Sequence, residues 1–133
     1  MDRVFLDANV LFSASYDDDN RLLQLWNLAD VELVTSAFTV GETVRNATTE
    51  LHRERLNQLL AAVRIVPEPL PDCGLPQGIA LPAKDAPILL SAIQAQATHL
   101  LTGDKRHFGP LFSQVIDGVL IQRPSSFLAS RGL

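Results

Sequence analysis

Five short, mostly apolar runs recur along this chain, each of strand length, with longer segments of helical period between most of them. They are Val4-Phe5-Leu6, Glu32-Leu33-Val34, Arg64-Ile65-Val66, His99-Leu100-Leu101 and Val119-Leu120-Ile121. Runs of this kind suit strands buried on both faces, and strands alternating with helices suit crossover units. The pattern therefore predicts an α/β fold: a three-layer α/β/α sandwich around a mostly parallel sheet of roughly five strands. At 133 residues and 47% hydrophobic content the chain suffices for one domain with a real core, spanning residues 1–133.

The helices follow from spacing. Leu22, Leu25, Trp26 and Ala29 stand at i, i+3, i+4 and i+7, so a helix is expected over residues 21–29, after the acidic turn Asp17-Asp18-Asp19-Asn20. Trp26 and Leu22 then read as core or interface residues. Ser36 suits the cap of a helix running from Ala37 towards Thr48. Residues 50–62 read as a further helix with Leu51, Leu59 and Ala62 near one face, Leu56 and Leu60 beside them, and His52, Arg53 and Arg55 at the surface. Ala86-Pro87 opens the next helix, with proline where its missing N–H costs nothing, and Ile88, Leu89, Ala92, Ile93 and Ala97 give it an apolar stripe. His99 reads as a structural residue beginning a strand, and Pro124 leads into a short helix around residues 126–129. The segment 67–82, rich in proline and glycine, reads as a loop.

Several classes are disfavoured. No apolar run approaches the roughly 18 to 20 residues that span a bilayer, and the start lacks the form of a signal peptide, so a cytoplasmic protein without a membrane partner is expected. The single cysteine, Cys73, excludes an internal disulfide and a thiolate metal cluster within one chain, and gives no sign of a reactive thiol. The net charge of −4 and a pI near 5.2 argue, taken alone, against a broad basic surface for nucleic acid.

In open α/β sheets the working site lies outside the carboxyl ends of the strands. Asp7 directly follows the first strand, Asp104 follows the fourth by a short turn, and Asp85 stands at the start of the helix that feeds it. Glu42 lies within the helix after the second strand. Carboxylates gathered in one pocket repel one another unless a cation compensates, and oxygen donors without cysteine or paired histidine favour a hard ion such as Mg²⁺ or Mn²⁺. Each acid also has a structural reading. Asp85 could cap a helix, Asp104 could close a turn, and Glu42 could be a solvated helical residue. A carboxylate straight after a buried strand, as at Asp7, needs a partner or a ligand.

These residues carry a resemblance. Val4-Phe5-Leu6-Asp7-Ala8-Asn9-Val10-Leu11, Val40-Gly41-Glu42-Thr43, Lys84-Asp85-Ala86-Pro87-Ile88-Leu89 and Leu101-Thr102-Gly103-Asp104 resemble, in order and residue type, the PIN-domain ribonucleases, whose small bacterial members are the VapC-type toxins. The likeness runs from Asp7 to the Pro124-Ser125-Ser126-Phe127-Leu128 ending. It implies a metal-dependent ribonuclease with Asp7, Glu42, Asp85 and Asp104 as the acidic quartet, holding one or two Mg²⁺ or Mn²⁺ ions. Asn9 and Thr102 match ligand-orienting positions. The family often carries a further acid or Asn about three residues after the last Asp, and this chain departs from it with His107. The implied chemistry is hydrolysis of an RNA phosphodiester by metal-activated water, since no Ser–His pair or reactive Cys offers a nucleophile. Arg45, one helical turn beyond Glu42, and Lys105 and Arg106, beside Asp104, are candidate phosphate contacts.

The resemblance further implies a homodimer and, for a toxin, a small antitoxin partner; Leu23 and Leu28, off the main helical stripe, fit an interface weakly. Other readings stand beside it. A PIN-fold module could bind RNA or protein with little turnover, and an RNA-processing nuclease would need no antitoxin. A phosphoacceptor receiver would need an Asp after the third strand, where Pro67-Glu68-Pro69 stands, and a haloacid-dehalogenase-type phosphatase would need Asp in place of Asn9. Of the 15 acids, four belong to the proposed quartet, and the eleven left equal the 11 Lys+Arg. The acidic pI then reports a metal site, and RNA binding without metal is expected to be weak.

Overall fold

The computed structural model describes residues 1–69 and 74–133; Cys73 lies outside the described residues. Among the described residues six strands form one sheet: β1 (Asp2–Leu6), β2 (Val31–Ser36), β3 (Arg64–Val66), β4 (His99–Leu101), β5 (Val115–Ile116) and β6 (Val119–Gln122). Their order is β3-β2-β1-β4-β6-β5, parallel throughout except for the antiparallel β5–β6 pair at one edge. The mostly parallel α/β sheet is as expected, with one strand more. β5 is two residues long, too short for any periodicity. Its signal was the turn after it, because Asp117 (φ 48°) and Gly118 (φ 84°) make the doubly left-handed turn that Asp-Gly favours in hairpins.

The helices are α1 (Ala8–Tyr16), α2 (Ala37–Asn46), α3 (Glu50–Leu60), α4 (Ala86–Gln94) and α5 (Pro124–Ser130), with 3₁₀ turns at Arg21–Asn27 and Gly109–Leu111. Successive side chains of a strand face opposite ways, and β1 divides its three buried residues accordingly. Phe5 joins a core with Val34, Ile88, Leu89, Leu100 and Ile121 on the α4 side. Val4 and Leu6 join Val10, Leu11, Leu56, Leu101 and Phe127 on the side of α1, α3 and α5. These two cores make the three layers. No helix among the described residues is long and apolar enough to cross a membrane.

Three local expectations need correction. Residues 8–16, outside the predicted helices, form α1; Val10, Leu11, Ala14 and Ser15 are its buried stripe and Asp7 its cap. The segment after the acidic turn is 3₁₀, not α. Three residues per turn align Leu22 with buried Leu25 and leave Ala29 exposed. α3 is rotated from the expected phase: Leu51 is 54% exposed, whereas His52 and Leu56 point inward. His52 is buried because its ring is satisfied there. Nε2 lies 3.1 Å from the Phe12 carbonyl and 2.9 Å from Ser15 Oγ, whose own hydroxyl donates to the Leu11 carbonyl.

Candidate metal centre

The register of the central strands builds the site. β1 and β4 pair in parallel with Leu6 opposite Leu101, so the next residues, Asp7 and Thr102, emerge side by side at the carboxyl edge. The Asp7 N–H bonds the Leu101 carbonyl at 3.1 Å, fixing that edge. Asp7 then turns into α1 as its cap, with Oδ1 accepting from the Ala8 N–H at 2.7 Å. Its other oxygen, Oδ2, accepts from Thr102 Oγ1 at 2.8 Å and from Asn9 Nδ2 at 3.1 Å. Asn9 Oδ1 in turn accepts from the Gly103 N–H at 2.7 Å, and a Cβ on Gly103 would stand 3.3 Å from that oxygen. The loop after β4 is thus drawn tightly onto Asn9, and one network orients Asp7.

Asp85, Glu42 and Asp104 reach the same place from three other elements. Ser36 caps α2 through Oγ, as expected, and Glu42 lies half-buried in the middle of that helix. Asp85 occupies the cap position of α4 but makes no capping hydrogen bond, so capping does not account for it. Asp104 does both jobs: Oδ1 accepts from the backbone N–H of Arg106 and of His107, each at 3.1 Å, while Oδ2 faces the His107 ring. Asp7, Glu42, Asp85 and Asp104 all line one cavity of about 530 Å³, with Asn9, Ser13 and Lys84 also on its wall.

This cavity is short of positive charge. Asp7 is 3% exposed, and its pKa is raised from 3.8 to about 6. Burial is the main cause; the bonds from Thr102 and Ala8 oppose it, and the charges of Glu42 and Asp85 add to it. Burial also pushes Glu42 up, against the pull of Arg45, and pushes Asp85 up, against the pull of His107. Asp85 Oδ2 is buried without a hydrogen bond, although His107 Nδ1 stands only 2.9 Å away. Of the two contacts of Nδ1, the one to Asp104 Oδ2 at 3.1 Å has hydrogen-bonding geometry and the one to Asp85 Oδ2 does not. Asp85, Asp104 and His107 each place a donor atom within 4.8 Å of the others. An orphaned buried carboxylate oxygen among oxygen donors is what a divalent cation would satisfy, so the donor set fits one.

Some residues stand elsewhere. Arg45, Lys105 and Arg106 are exposed and are not on the cavity wall; Arg45 still acts on Glu42 through its charge. Lys84, on the wall, is not among the site residues predicted from sequence, though its position next to Asp85 is a usable signal. His107, flagged only as a departure, touches two of the acids.

No curated protein sequence matches this chain. Among solved structures, a chain from the crystal structure of VapBC2 from Rickettsia felis, bound to a DNA fragment from the promoter, is similar in fold. The TM-score is 0.64 at 14% identity, over 91% of this chain and 98% of that one. Residues 3–106 match the PIN domain family, and with a match over that much of its length the chain belongs to it.

Proposed function

We propose that this protein is a Mg²⁺- or Mn²⁺-dependent ribonuclease, a single PIN-type domain that hydrolyses RNA phosphodiester bonds with Asp7, Glu42, Asp85 and Asp104 as its acidic quartet. The observation that carries this reading is the gathering of four carboxylates, from four separate elements, around one cavity with an unsatisfied carboxylate oxygen. A lone acid of this kind could be structural. Four that converge with too little positive charge to balance them read as ligands.

The geometry supports a division of labour. Asp7, held by Thr102 and Asn9, presents a fixed carboxylate that gives up its proton above about pH 6. Asp85, at the start of α4, and Asp104, in the loop after β4, supply oxygens, and Glu42 supplies one from α2. When bound, the ion supplies Lewis-acid polarisation of the phosphoryl group and a more acidic water. Lys84, on the same wall, is placed to balance charge on a phosphate oxygen, and the exposed Arg45, Lys105 and Arg106 serve RNA backbone beyond the cavity. The resemblance to VapC-type toxins and the fold shared with a VapBC2 chain support reading this chain as the toxin of a pair, with a small antitoxin as partner and a homodimer as its own state.

The test is direct. Structured and unstructured RNAs are incubated with the protein, with Mg²⁺, with Mn²⁺ or with chelator. Cleavage that needs the ion and vanishes in Asp7→Asn is expected; identical RNA patterns from the two proteins sink the proposal, and retained binding without cuts identifies a binding module instead. A short open reading frame beside the gene, whose product co-purifies with this chain, supports the antitoxin. Light scattering decides the dimer.

A further inference from the structure

The geometry points to His107 as a nitrogen ligand of the cation, its Nδ1 joining the carboxylates of Asp85 and Asp104 and biasing the site towards a first-row transition-metal ion over Mg²⁺. The inference rests on the metal-dependent reading above and names what that reading leaves open, which ion is preferred and whether a nitrogen joins the carboxylates.

The imidazole nitrogen lies 2.9 Å from Asp85 Oδ2 and 3.1 Å from Asp104 Oδ2. Adjacent ligands of a six-coordinate ion, with bonds of about 2.1 Å, stand about 3.0 Å apart. The observed separations have that spacing. The three groups are also held rather than free. Asp104 Oδ1 is tied to two backbone N–H groups of the turn that carries His107, and the next residue, Phe108, is fully buried in the core. His107 therefore reaches the acids from an anchored turn, and its side chain is only 22% exposed.

Two roles compete for such a ring. As a counter-ion, a protonated His107 would stand where the cation goes and neutralise the acids. The ring would then donate to both carboxylates, yet the Asp85 side chain is more than nine-tenths buried and its Oδ2 has no hydrogen bond. As a ligand, Nδ1 offers a lone pair, and the same ion satisfies that orphaned oxygen. Imidazole suits Fe²⁺ and the later first-row ions best, and Mn²⁺, the hardest of the series, still accepts it more readily than Mg²⁺, which keeps to carboxylates and water. One nitrogen donor among oxygens is thus a selectivity device.

The experiment uses the metal ions alone, without RNA. Titration calorimetry with Mn²⁺ and with Mg²⁺ is run on the wild type, His107→Ala and His107→Gln, with circular dichroism to establish that each is folded. Electron spin echo spectroscopy of the Mn²⁺-loaded proteins reads nitrogen coupling. The expected result is tighter binding of Mn²⁺ than of Mg²⁺ by the wild type and an imidazole nitrogen signal that both variants lose. Mn²⁺ affinity should fall about tenfold or more in the variants while Mg²⁺ affinity changes less than about threefold. Unchanged or tighter Mn²⁺ binding in both variants, with no nitrogen signal in the wild type, makes His107 a counter-ion and overturns the inference alone. A wild type that binds neither ion overturns the metal-dependent reading with it.

Discussion

Acids crowd both ends of the central sheet, and the two ends neutralise them differently. At the amino end Asp2, Asp30 and Glu32 meet arginines: Arg131 reaches both Asp2 and Asp30, and Arg3 and Arg64 lie 3.4 and 3.3 Å from Glu32. At the carboxyl end Asp7, Glu42, Asp85 and Asp104 share a cavity whose wall carries, among the described residues, one lysine or arginine, Lys84. The pKa shifts follow the pairing. The hydrogen bond from Arg131 holds Asp30 below the usual aspartate value, whereas burial raises Asp7 to about 6. The amino-end acids are balanced by arginines of the chain, whereas the carboxyl-end acids are gathered with less positive charge, the condition that the proposed cation would relieve.

The sharpest way to break this contrast is to neutralise one acid at each end. Asp85→Asn should lower ion-dependent RNA cleavage roughly a thousandfold, about 4 kcal/mol of transition-state stabilisation, the scale of losing a metal's Lewis-acid contribution. Asp30→Asn should leave the rate within about twofold, as expected for a surface charge remote from the chemistry. Single-turnover cleavage rates give both numbers. Comparable losses in the two variants would mean that the ends do not differ in function.

Acid stability should separate the ends by sign. Asp7 has a raised pKa, so the metal-free folded state binds its proton more tightly than the unfolded chain does. Its contribution is present in full below 3.8 and is lost as pH rises through about 6. The loss is on the order of 2 to 3 kcal/mol, from a shift of about two units at 1.36 kcal/mol each. Asp30 has a lowered pKa, so its contribution is present at neutral pH and is lost on acidification. Saturating Mn²⁺ should reverse the slope due to Asp7, because the ion binds the deprotonated carboxylate. Urea unfolding from about pH 4 to 7, with and without Mn²⁺, checks this. If Asp7→Asn keeps the metal-free slope, burial of Asp7 is not its source.

Much of this arrangement was legible before any coordinates, for a physical reason. A parallel sheet sends every strand's carboxyl end to one edge, so Asp7 and Asp104 belong to that edge once their strands are recognised, and the β1–β4 pairing then makes them neighbours; Asp85 opens the helix that feeds the fourth strand of the sequence. What depended on rotation was harder to see. α3 offers several apolar residues at compatible spacings, and the sequence does not say that buried Ser15 and the Phe12 carbonyl favour His52 as the inward residue. α1 is short, and although Val10, Leu11 and Ala14 have helical spacing, it follows β1 with only its cap Asp7 between them, so no turn residues mark its start. The contact of His107 with Asp85 joins residues far apart in sequence through side-chain conformations, which no local pattern encodes.

The smallest effect is expected at the amino end, and it sharpens the comparison from the structural side. Arg131 follows α5, bridges Asp2 and Asp30, and lies over the Phe127 ring at 5.1 Å from its centroid. It therefore ties the last helix to the first strand by charge and by packing together. Asp30 is solvent-exposed, so the charge part is strongly screened and weak, while stacking on Phe127 is not a matter of ion pairing alone. Arg131→Gln should lower the melting temperature slightly and leave RNA cleavage unchanged. At about 1 M salt, where the screening length shrinks to about 3 Å, the gap between variant and wild type should narrow to the part that stacking contributes. A gap that is unmoved by salt would mean that Arg131 acts through packing alone. The amino end would then owe less to ion pairing than its short contacts suggest.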